Sequence, residues 1–479
     1  MSTNINEGNK VISEDKIREI IENIDIEEIE GKKDVYIKVE QKKTDFYERI
    51  TRQVKNVCEK LEVSSVNYNK ILETSKIIEV DIPLLLESKI GNREIIKVVT
   101  SFLVQHNNIC GPFAYEINFL PQLTLDDVKG LSILSTLRNS LFELPFGGAS
   151  AGLSLNSYML SKKENERIAK SYIKTMNRFI DFDREIISSG YGVNEEFISF
   201  LYKEWKKIKK KNNLKENFLG KRFQDGGVRA RERMRAFVIL TLLEELLKLE
   251  EVNKLPGINK HEEIIKQSRQ EKKVVFCGFN ETEQELAFLL YNRGYKILAI
   301  CDELGCIVST QGIDPREAAR CKKLRKSVIQ TKKYMKIRKE DAIKINTDIL
   351  VLGSIIEKVN SDEIRKIKAP IILEITAIFD NMCYNLLGEM KKNVLPYIVA
   401  GCNRILPNYL EWLQNKEERF FSEREIEAKI EEKIRSVMLE INNEVRKHNV
   451  GFSDACFILA VKKFLSHLKG KRIKNFQTS

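Results

Sequence analysis

Histidine is scarce in this chain: there are four in 479 residues, with no pair and no Cys/His set at metal-ligand spacing. No metal site is expected. Cysteine pairs are missing too: the nine cysteines (58, 110, 277, 301, 306, 321, 383, 402 and 456) are odd in number and include no CxxC. Cys301 and Cys306 flank a turn at "CDELGC", but that spacing without further ligands carries little. The first residues, "MSTNINEGNKVISEDKIREI", contain no apolar h-region. Reduced thiols in a cytoplasm are therefore the expected state. Long apolar runs are also absent. No window holds eighteen uncharged apolar residues, so no membrane span is expected.

Charge is abundant but nearly balanced, with 81 Lys and Arg against 69 Asp and Glu, a net charge of +12. The lysine runs "KKIKKKNNLK" (206–215) and "KGKRIKNF" (469–476) carry the charge a phosphate backbone attracts. No nucleic-acid-binding motif accompanies them, and solvated surface is the preferred reading. The length exceeds what one ordinary core supports and points to two domains, or three if one is small.

Periodicity divides the chain. Residues 1–44 are polar, dense in both charge signs and read as a loosely attached extension, with one helical candidate at "SEDKIREIIENI" (13–24). "YERITRQVKNVCEKL" (47–61) has the spacing of an amphipathic helix, while "KIIEVDIPLLL" (76–86) and "EIIKVVTSFLVQHN" (94–107) alternate as strands do. "LTLDDVKGLSILSTLRNSLFEL" (123–144) returns to helical spacing with Thr124 as its cap. A second region opens near residue 223. "RMRAFVILTLLEELLKL" (233–249) reads as a buried helix, and strands are expected at 272–280, 295–302, 348–353, 370–375 and 396–401, spaced by helices. That alternation implies a parallel, doubly wound sheet. The long helix at 422–448 opens on a capping box, Ser422 with Glu425, and carries an apolar stripe of Ile426, Ile430, Ile434, Val437 and Ile441.

"KKVVFCGFN" followed by "ETEQELAFLLYNRG" and "YKILAICD" has the outline of a βαβ unit. A dinucleotide turn needs GxGxxG so that the pyrophosphate can approach the backbone and the helix can pack on its strand. Only Gly278 of the three glycines is present; Asn280 and Glu283 take the other positions. Carboxylates in a helix's first turn suit its dipole, yet each repels a phosphate at the same N-terminus by roughly 1–4 kcal/mol at close range. Asp302 ends the second strand, where a ribose-binding acid belongs. One glycine and one acid leave a βαβ unit without nucleotide as the preferred reading.

The pieces "FLVQHNNICGPF", "INFLPQLTLDDVKGLSIL" and "LPFGGASAGL", followed in order by "QGIDPREA" (311–318), "TDILVLGS" (347–354), "IILEITA" (371–377) and "NYLEWLQN" (408–415), resemble the glutamate dehydrogenase family (glutamate/leucine/phenylalanine/valine dehydrogenases) from about residue 45 to 468. The resemblance implies an α/β fold: an N-terminal α/β substrate and oligomerisation domain (45–222), a Rossmann-like doubly wound dinucleotide-binding domain (223–421) and C-terminal helices (422–479) packing back on the first. It implies NAD(P) as coenzyme, hexamers, and a site with three lysines and an aspartate.

By that resemblance the two substrate-binding lysines fall on Ala114 and Arg138, the catalytic lysine on Ser150, and the aspartate on Gly190. The serine that helps bind the substrate's γ-carboxylate falls on Asn408. On the cofactor side Gly278, Asp302 and Glu374 remain, while two asparagines of the family fall on Ala377 and Gly401. Only Arg138 keeps a positive charge. The implied reading is a family member that lost amino-acid dehydrogenase activity and persists as a binding, regulatory or structural subunit, associating with itself or with an active relative. The alternative is an NAD(P)-dependent oxidoreductase with altered substrate or mechanism. The glycines of "LPFGGAS" are then expected to serve a structural turn. His106 reads as a satisfied structural histidine, and His261, His448 and His467 as surface. Arg229, Arg231, Arg233 and Arg235 lie where the family has a ligand-facing segment; they suit an anion, or pairing with nearby glutamates, which is preferred.

Overall fold

The computed structural model describes residues 46–87, 94–156, 160–209, 214–254, 272–353, 361–376, 379 and 381–477. The 1–44 extension, His261 and Ala377 lie outside these residues. Two sheets organise the rest. In the first, the strand order is β1 (Lys76–Glu87), β2 (Glu94–Asn107), β4 (Gly147–Ser154), β3 (Phe113–Leu120), β5 (Ile186–Ser189) and β6 (Phe218–Leu219). β1 and β2 form an antiparallel hairpin, β4 runs antiparallel to β2, and β3 to β6 extend the sheet in parallel.

Period-two alternation gives this sheet two different faces. Tyr115, Ile117, Phe119, Ala149, Ala151 and Leu153 are buried in one core with Ile168, Tyr172, Phe197 and Trp205 of α4 (Lys162–Met176) and α5 (Glu195–Lys209). The intervening residues, Ala114, Glu116, Asn118, Gly148, Ser150 and Gly152, belong to the opposite face. α3 (Leu125–Leu141) lies there, opened by the expected Thr124 cap in a reciprocal box with Asp127. α1 (Phe46–Lys60) buries Ile50, Val54, Val57 and Cys58 as its spacing predicts, and packs on α3; α2 (Ser65–Leu72) follows it.

The glycines of "LPFGGAS" do not make a turn. Gly147 opens a strand, and a Cβ on Gly148 would stand 1.9 Å from Thr136 Oγ1 and 2.3 Å from the Thr136 nitrogen. Close approach of α3 to the sheet is the physical requirement.

The second sheet has the order β10 (Met335–Ile337), β9 (Gly305–Val308), β8 (Lys296–Asp302), β7 (Lys273–Cys277), β11 (Ile349–Leu352), β12 (Ile371–Glu374) and β13 (Asn393–Leu395). β8 to β13 through β7 are parallel, whereas β9 and β10 form an antiparallel edge that the sequence pattern did not announce. Side chains alternate between two cores: Val274, Phe276, Ile349 and Val351 with α6 (Arg231–Lys254) and α7 (Glu281–Asn292), and Val275, Cys277, Leu350 and Leu352 on the other face with α9 (Lys339–Ala342), α10 (Ser361–Ile364) and α11 (Asn381–Glu389). α8 (Pro315–Arg325) starts at an Asp314 cap.

The strand expected at 396–401 is a helix instead. The strand is the three-residue β13 just before it, and Pro396 caps α12 (Tyr397–Ala400), which leads into α13 (Cys402–Lys416). α14 (Glu423–His448) has its capping box and buries the expected stripe against α6. α15 (Phe452–Gln477) packs on α14, α3 and α1.

One thiol expectation also changes. Cys301 and Cys306 face each other in register across β8 and β9 and form a disulfide, while the other seven cysteines are free. Among the described residues no helix is long and apolar enough to cross a membrane.

Candidate functional site

The site forms at the seam where the α3 face of the first sheet meets α12 and α13. Strand register brings Glu116 of β3 beside both Ser150 of β4 and Ser188 of β5. Ser150 is buried and its hydroxyl accepts from Asn118 Nδ2 at 3.2 Å. The same amide donates to the carbonyls of Glu116 (2.9 Å) and Ala151 (3.1 Å), and its oxygen accepts from the Tyr191 N–H at 2.9 Å. Gly190 is held by its N–H to the Ile117 carbonyl at 2.9 Å. A Cβ on Gly190 would stand 2.3 Å from Asn118 Oδ1 and 2.6 Å from the Ile117 oxygen. Asn118 thus occupies the space between Ser150 and Gly190, with both ends of its amide engaged.

Arg138 is 1% exposed. Its guanidinium donates to the carbonyls of Ile398 (3.3 Å) and Tyr397 (3.5 Å) and lies 4.7 Å from the Tyr397 ring. Gly401 makes this possible, because a Cβ there would meet Arg138 Nη2 at 2.5 Å. The cation therefore crosses from the first sheet's helix to the second domain's backbone. Arg404 crosses the other way: it stacks on the Tyr191 ring at 3.8 Å, donates to the Tyr397 hydroxyl at 2.6 Å and lies 3.9 Å from the Glu116 carboxylate. Burial raises the Tyr191 hydroxyl well above its ordinary range, so it stays a neutral phenol at physiological pH.

Asn408 and Ala114 do not join this cluster through any hydrogen bond among the described residues. Ala114 pairs with Gly148 and Ile186 in the sheet. Asn408 accepts from Arg231 on α6, and one turn later the fully buried Glu411 receives Lys221 Nζ at 2.7 Å, the Gly220 N–H at 2.9 Å and Arg231 Nη2. The other three arginines are engaged as well: Arg233 lies 3.5 Å from Glu427, Arg235 pairs with Glu232 at 2.7 Å, and Arg229 stacks on Phe223. The preferred reading of that stretch, an exposed helix start paired with glutamates, describes the pairing of three of the four, but Arg231 and Arg235 are buried rather than exposed.

On the cofactor side, Gly278 takes a φ of +132°, the left-handed region that glycine tolerates, at the turn from β7 into α7. Glu283 is buried, its carboxylate accepts from its own N–H and from that of Asn280, and burial raises its pKa. Its Oε1 lies 2.7 Å from where a Cβ of Gly353, at the end of β11, would stand. Asp302 spends both oxygens locally, on the Leu304 N–H (3.1 Å), the Ser327 hydroxyl (3.0 Å) and the Val328 N–H (2.7 Å). Glu374 accepts from Phe379 N–H (2.8 Å), Tyr397 N–H (2.9 Å) and the Tyr384 hydroxyl, which fixes the start of α12. No group of three or more potential metal ligands occurs among the described residues.

His106 sits where the β2–β4 register slips, fully buried, with Nδ1 2.7 Å from Thr136 Oγ1. Burial pushes its pKa from 6.5 down to about 4. The unfolded chain therefore takes up a proton that the folded chain refuses. This contribution to stability is complete above pH 6.5 and is lost as pH falls towards 4, by about 3 kcal/mol over the whole window. Urea unfolding at pH 7 and pH 4.5 is expected to show that slope, and His106→Gln should flatten it.

Sequence reasoning missed Asn118, Glu116, Tyr191, Tyr397 and Arg404. Strand alternation from Ala114 was the available signal for Glu116 and Asn118, since both share its face.

The comparisons with known proteins fit this architecture. Residues 76–207 match the family model described as Glu/Leu/Phe/Val dehydrogenase, dimerisation domain, and residues 257–471 match that of Glutamate/Leucine/Phenylalanine/Valine dehydrogenase. The chain is 24% identical over 412 residues to the NAD-specific glutamate dehydrogenase of Staphylococcus aureus (strain COL), covering 86% of this chain and 94% of that one. It is 23% identical over 431 residues to the glutamate dehydrogenase of Aeropyrum pernix, covering 89% and 98%. Its fold matches the hetero-hexameric glutamate dehydrogenase of Thermus thermophilus (Leu bound form) with a TM-score of 0.75 at 18% identity, covering 90% of this chain and 98% of that one. The chain belongs to the Glu/Leu/Phe/Val dehydrogenase family of amino-acid dehydrogenases.

Proposed function

We propose that this chain is a family member that does not oxidise amino acids and acts as a binding, regulatory or structural subunit. One observation carries the reading: Asn118 bridges Ser150 and the space beside Gly190, the positions onto which the family's catalytic lysine and aspartate fall. Neither a serine hydroxyl nor a carboxamide takes up or releases a proton at neutral pH. Removing a positioned acid or base typically costs a factor of about 10²–10⁴, and here both partners of the relay are replaced. Arg138, the one family position that keeps its charge, spends its donors on backbone carbonyls of α12.

The dinucleotide site supports the same reading. A pyrophosphate seats on the N–H groups of a helix N-terminus, and at α7 the Glu283 carboxylate already accepts from two of them. NAD(P) and Glu283 compete for the same donors. Assembly is part of the proposal: the model matched by residues 76–207 is described as a dimerisation domain, and a structural neighbour is a hetero-hexamer. Self-association, or association with an active relative, follows.

The second reading, an NAD(P)-dependent amino-acid oxidoreductase of altered substrate or mechanism, has the comparisons on its side. Relatives aligned over 94% of their length are named NAD-specific glutamate dehydrogenases. Calorimetric titration with NADH and NADPH, followed by an assay of amino-acid oxidation, separates the two. We expect no saturable binding below about 1 mM and no turnover, with Glu283→Ala gaining about tenfold or more in coenzyme affinity, equivalent to about 1.4 kcal/mol. Micromolar binding with turnover by the unaltered protein establishes the second reading.

A further inference from the structure

The net charge of this chain is concentrated in one place. Residues 316–339, which form α8, the turn after it and β10, hold eleven Lys and Arg against one acid, Glu317, a net charge of +10. The other 455 residues hold 70 basic against 68 acidic side chains, so this stretch carries nearly all of the chain's +12. We propose that this edge of the second sheet is a peripheral docking surface for an anionic phospholipid bilayer.

Folding gathers the stretch into one surface. At one end, Glu317 of α8 takes Lys333 Nζ at 2.7 Å and the Tyr334 hydroxyl at 2.6 Å, just before β10. At the other, Lys322 of α8 reaches Glu303 in the β8–β9 turn at 3.0 Å, and β10 pairs with β9 so that Ile337 faces Cys306, close to that turn. α8 and β10 therefore run side by side along the sheet's edge, tied at both ends. Arg316, Arg320 and Lys323, spaced by four and three residues, share one exposed face of the helix. Six exposed cations, Arg320, Lys323, Lys326, Lys332, Lys336 and Lys339, have no ion pair among the described residues. Lysines on an edge strand also guard it against pairing with other strands. That role accounts for β10 but not for the row on α8, nor for the apolar side chains beside it.

Those apolar side chains select the occupant. Met335 and Leu324, at 73% and 68%, are the most exposed large hydrophobic residues among the described residues, and Leu304 in the β8–β9 turn is 54% exposed. The phosphate backbone of a nucleic acid satisfies the ammoniums but offers Leu and Met nothing. Base stacking needs a free aromatic face, and the stretch's one aromatic, Tyr334, is half-buried with its hydroxyl on Glu317. An acidic protein surface pairs best with the planar fork of arginine, yet five of the six unpaired cations are lysines. An anionic bilayer meets both features: mobile headgroup phosphates for compact ammoniums on long stems, and the acyl boundary for Leu and Met. The surface is independent of whether the chain oxidises amino acids.

Cosedimentation of the full chain with vesicles is the test. Binding to phosphatidylcholine vesicles that contain phosphatidylglycerol is expected to exceed binding to pure phosphatidylcholine by about tenfold or more at low salt, and to fall as ionic strength rises. Each basic residue at such a surface changes binding by about fivefold. Lys332→Gln, Lys336→Gln and Lys339→Gln together should therefore weaken it about tenfold or more, as should Arg320→Gln with Lys323→Gln. Removing the same charge elsewhere, by Lys469→Gln, Lys471→Gln and Arg472→Gln, should leave it unchanged. Leu324→Ser with Met335→Ser should weaken vesicle binding by about threefold or more and leave binding to duplex DNA as it was. The altered side chains of the edge are exposed, and an unchanged thermal midpoint verifies that the variants fold. The proposal is overturned if the chain does not prefer the anionic vesicles, if the edge variants bind as the parent does, or if the 469–472 variant loses as much. It is also overturned, in favour of nucleic acid, if duplex DNA binds more tightly at equal salt and Leu324→Ser with Met335→Ser leaves vesicle binding intact.

Discussion

Replacing Gly190 by aspartate is expected to lower stability by roughly 3–5 kcal/mol and to leave amino-acid oxidation undetectable, even with Ser150→Lys made alongside it. In the proposed correspondence with the family an aspartate belongs here, so the substitution looks like a repair. The surroundings no longer accept it. The first added carbon would lie 2.3 Å from Asn118 Oδ1 and 2.6 Å from the Ile117 carbonyl, and the second of these is backbone that cannot rotate aside. Asn118 in turn is tied by its amide to Glu116, Ser150 and Ala151 and by its oxygen to Tyr191. Moving it breaks several buried hydrogen bonds, each worth about 1 kcal/mol net. The midpoint of urea unfolding measures the loss. Adding Asn118→Ala to Gly190→Asp should return only part of it, because the Ile117 contact stays. Full stability with measurable oxidation in the Ser150→Lys, Gly190→Asp protein would show that the cleft still accommodates the relay and would remove the ground for the lost-activity reading.

How far the sequence foretold this structure follows from the range over which each feature is determined. α1, α3 and α14 were legible because a helix's apolar spacing and its cap lie within a few residues, as Thr124 with Asp127 and Ser422 with Glu425 show. Strands β1 and β2 were legible for the same reason, their alternation running over a dozen residues each, though their antiparallel pairing was not. "PYIVAG" misled because its β-branched residues fit a strand locally, while Pro396 caps a helix and the strand is only three residues long. "LPFGGAS" misled because two glycines suggest a turn, when the cause is Thr136 pressed against Gly148 from another element. Cys301 and Cys306 meet because β9 folds back on β8, an antiparallel edge with no strong local signal.

The seam was legible as a set of positions and not as a set of contacts. Ser150, Gly190 and Arg138 come from motif order along the chain. That Asn118 fills the gap, or that Arg404 reaches Glu116 from nearly 300 residues away in sequence, depends on two sheets docking. Docking also decides what the surviving charge does. Arg138 has the sign that the proposed correspondence with the family asks for, yet its donors face the carbonyls of α12. A charge retained in the sequence is thus compatible with two uses, and burial selects between them.

Glu411→Ala is expected to destabilise the protein strongly, by about 3–5 kcal/mol. Glu411 and Lys221 are both fully buried, and the glutamate joins three separate pieces: the Gly220–Lys221 segment after β6, Arg231 at the start of α6, and α13 itself. Removing the carboxylate strands two cations without a counter-charge, and leaves the Gly220 N–H without its acceptor. Desolvation makes such a cluster a poor source of net stability when intact and a large source of instability when broken. That asymmetry gives a distinguishing test. Glu411→Gln keeps hydrogen bonding but not charge and should lose about half as much as Glu411→Ala. The pair Lys221→Met with Glu411→Leu should be at least about 1 kcal/mol more stable than Glu411→Ala, since it removes a stranded ammonium as well as its partner. Thermal unfolding of the three variants ranks them. Hydrogen exchange should place the extra opening in residues 215–231 and 404–416, where the cluster's segments meet. A Glu411→Ala protein as stable as the parent would mean that Lys221 or Arg231 finds another anion or sheds its proton.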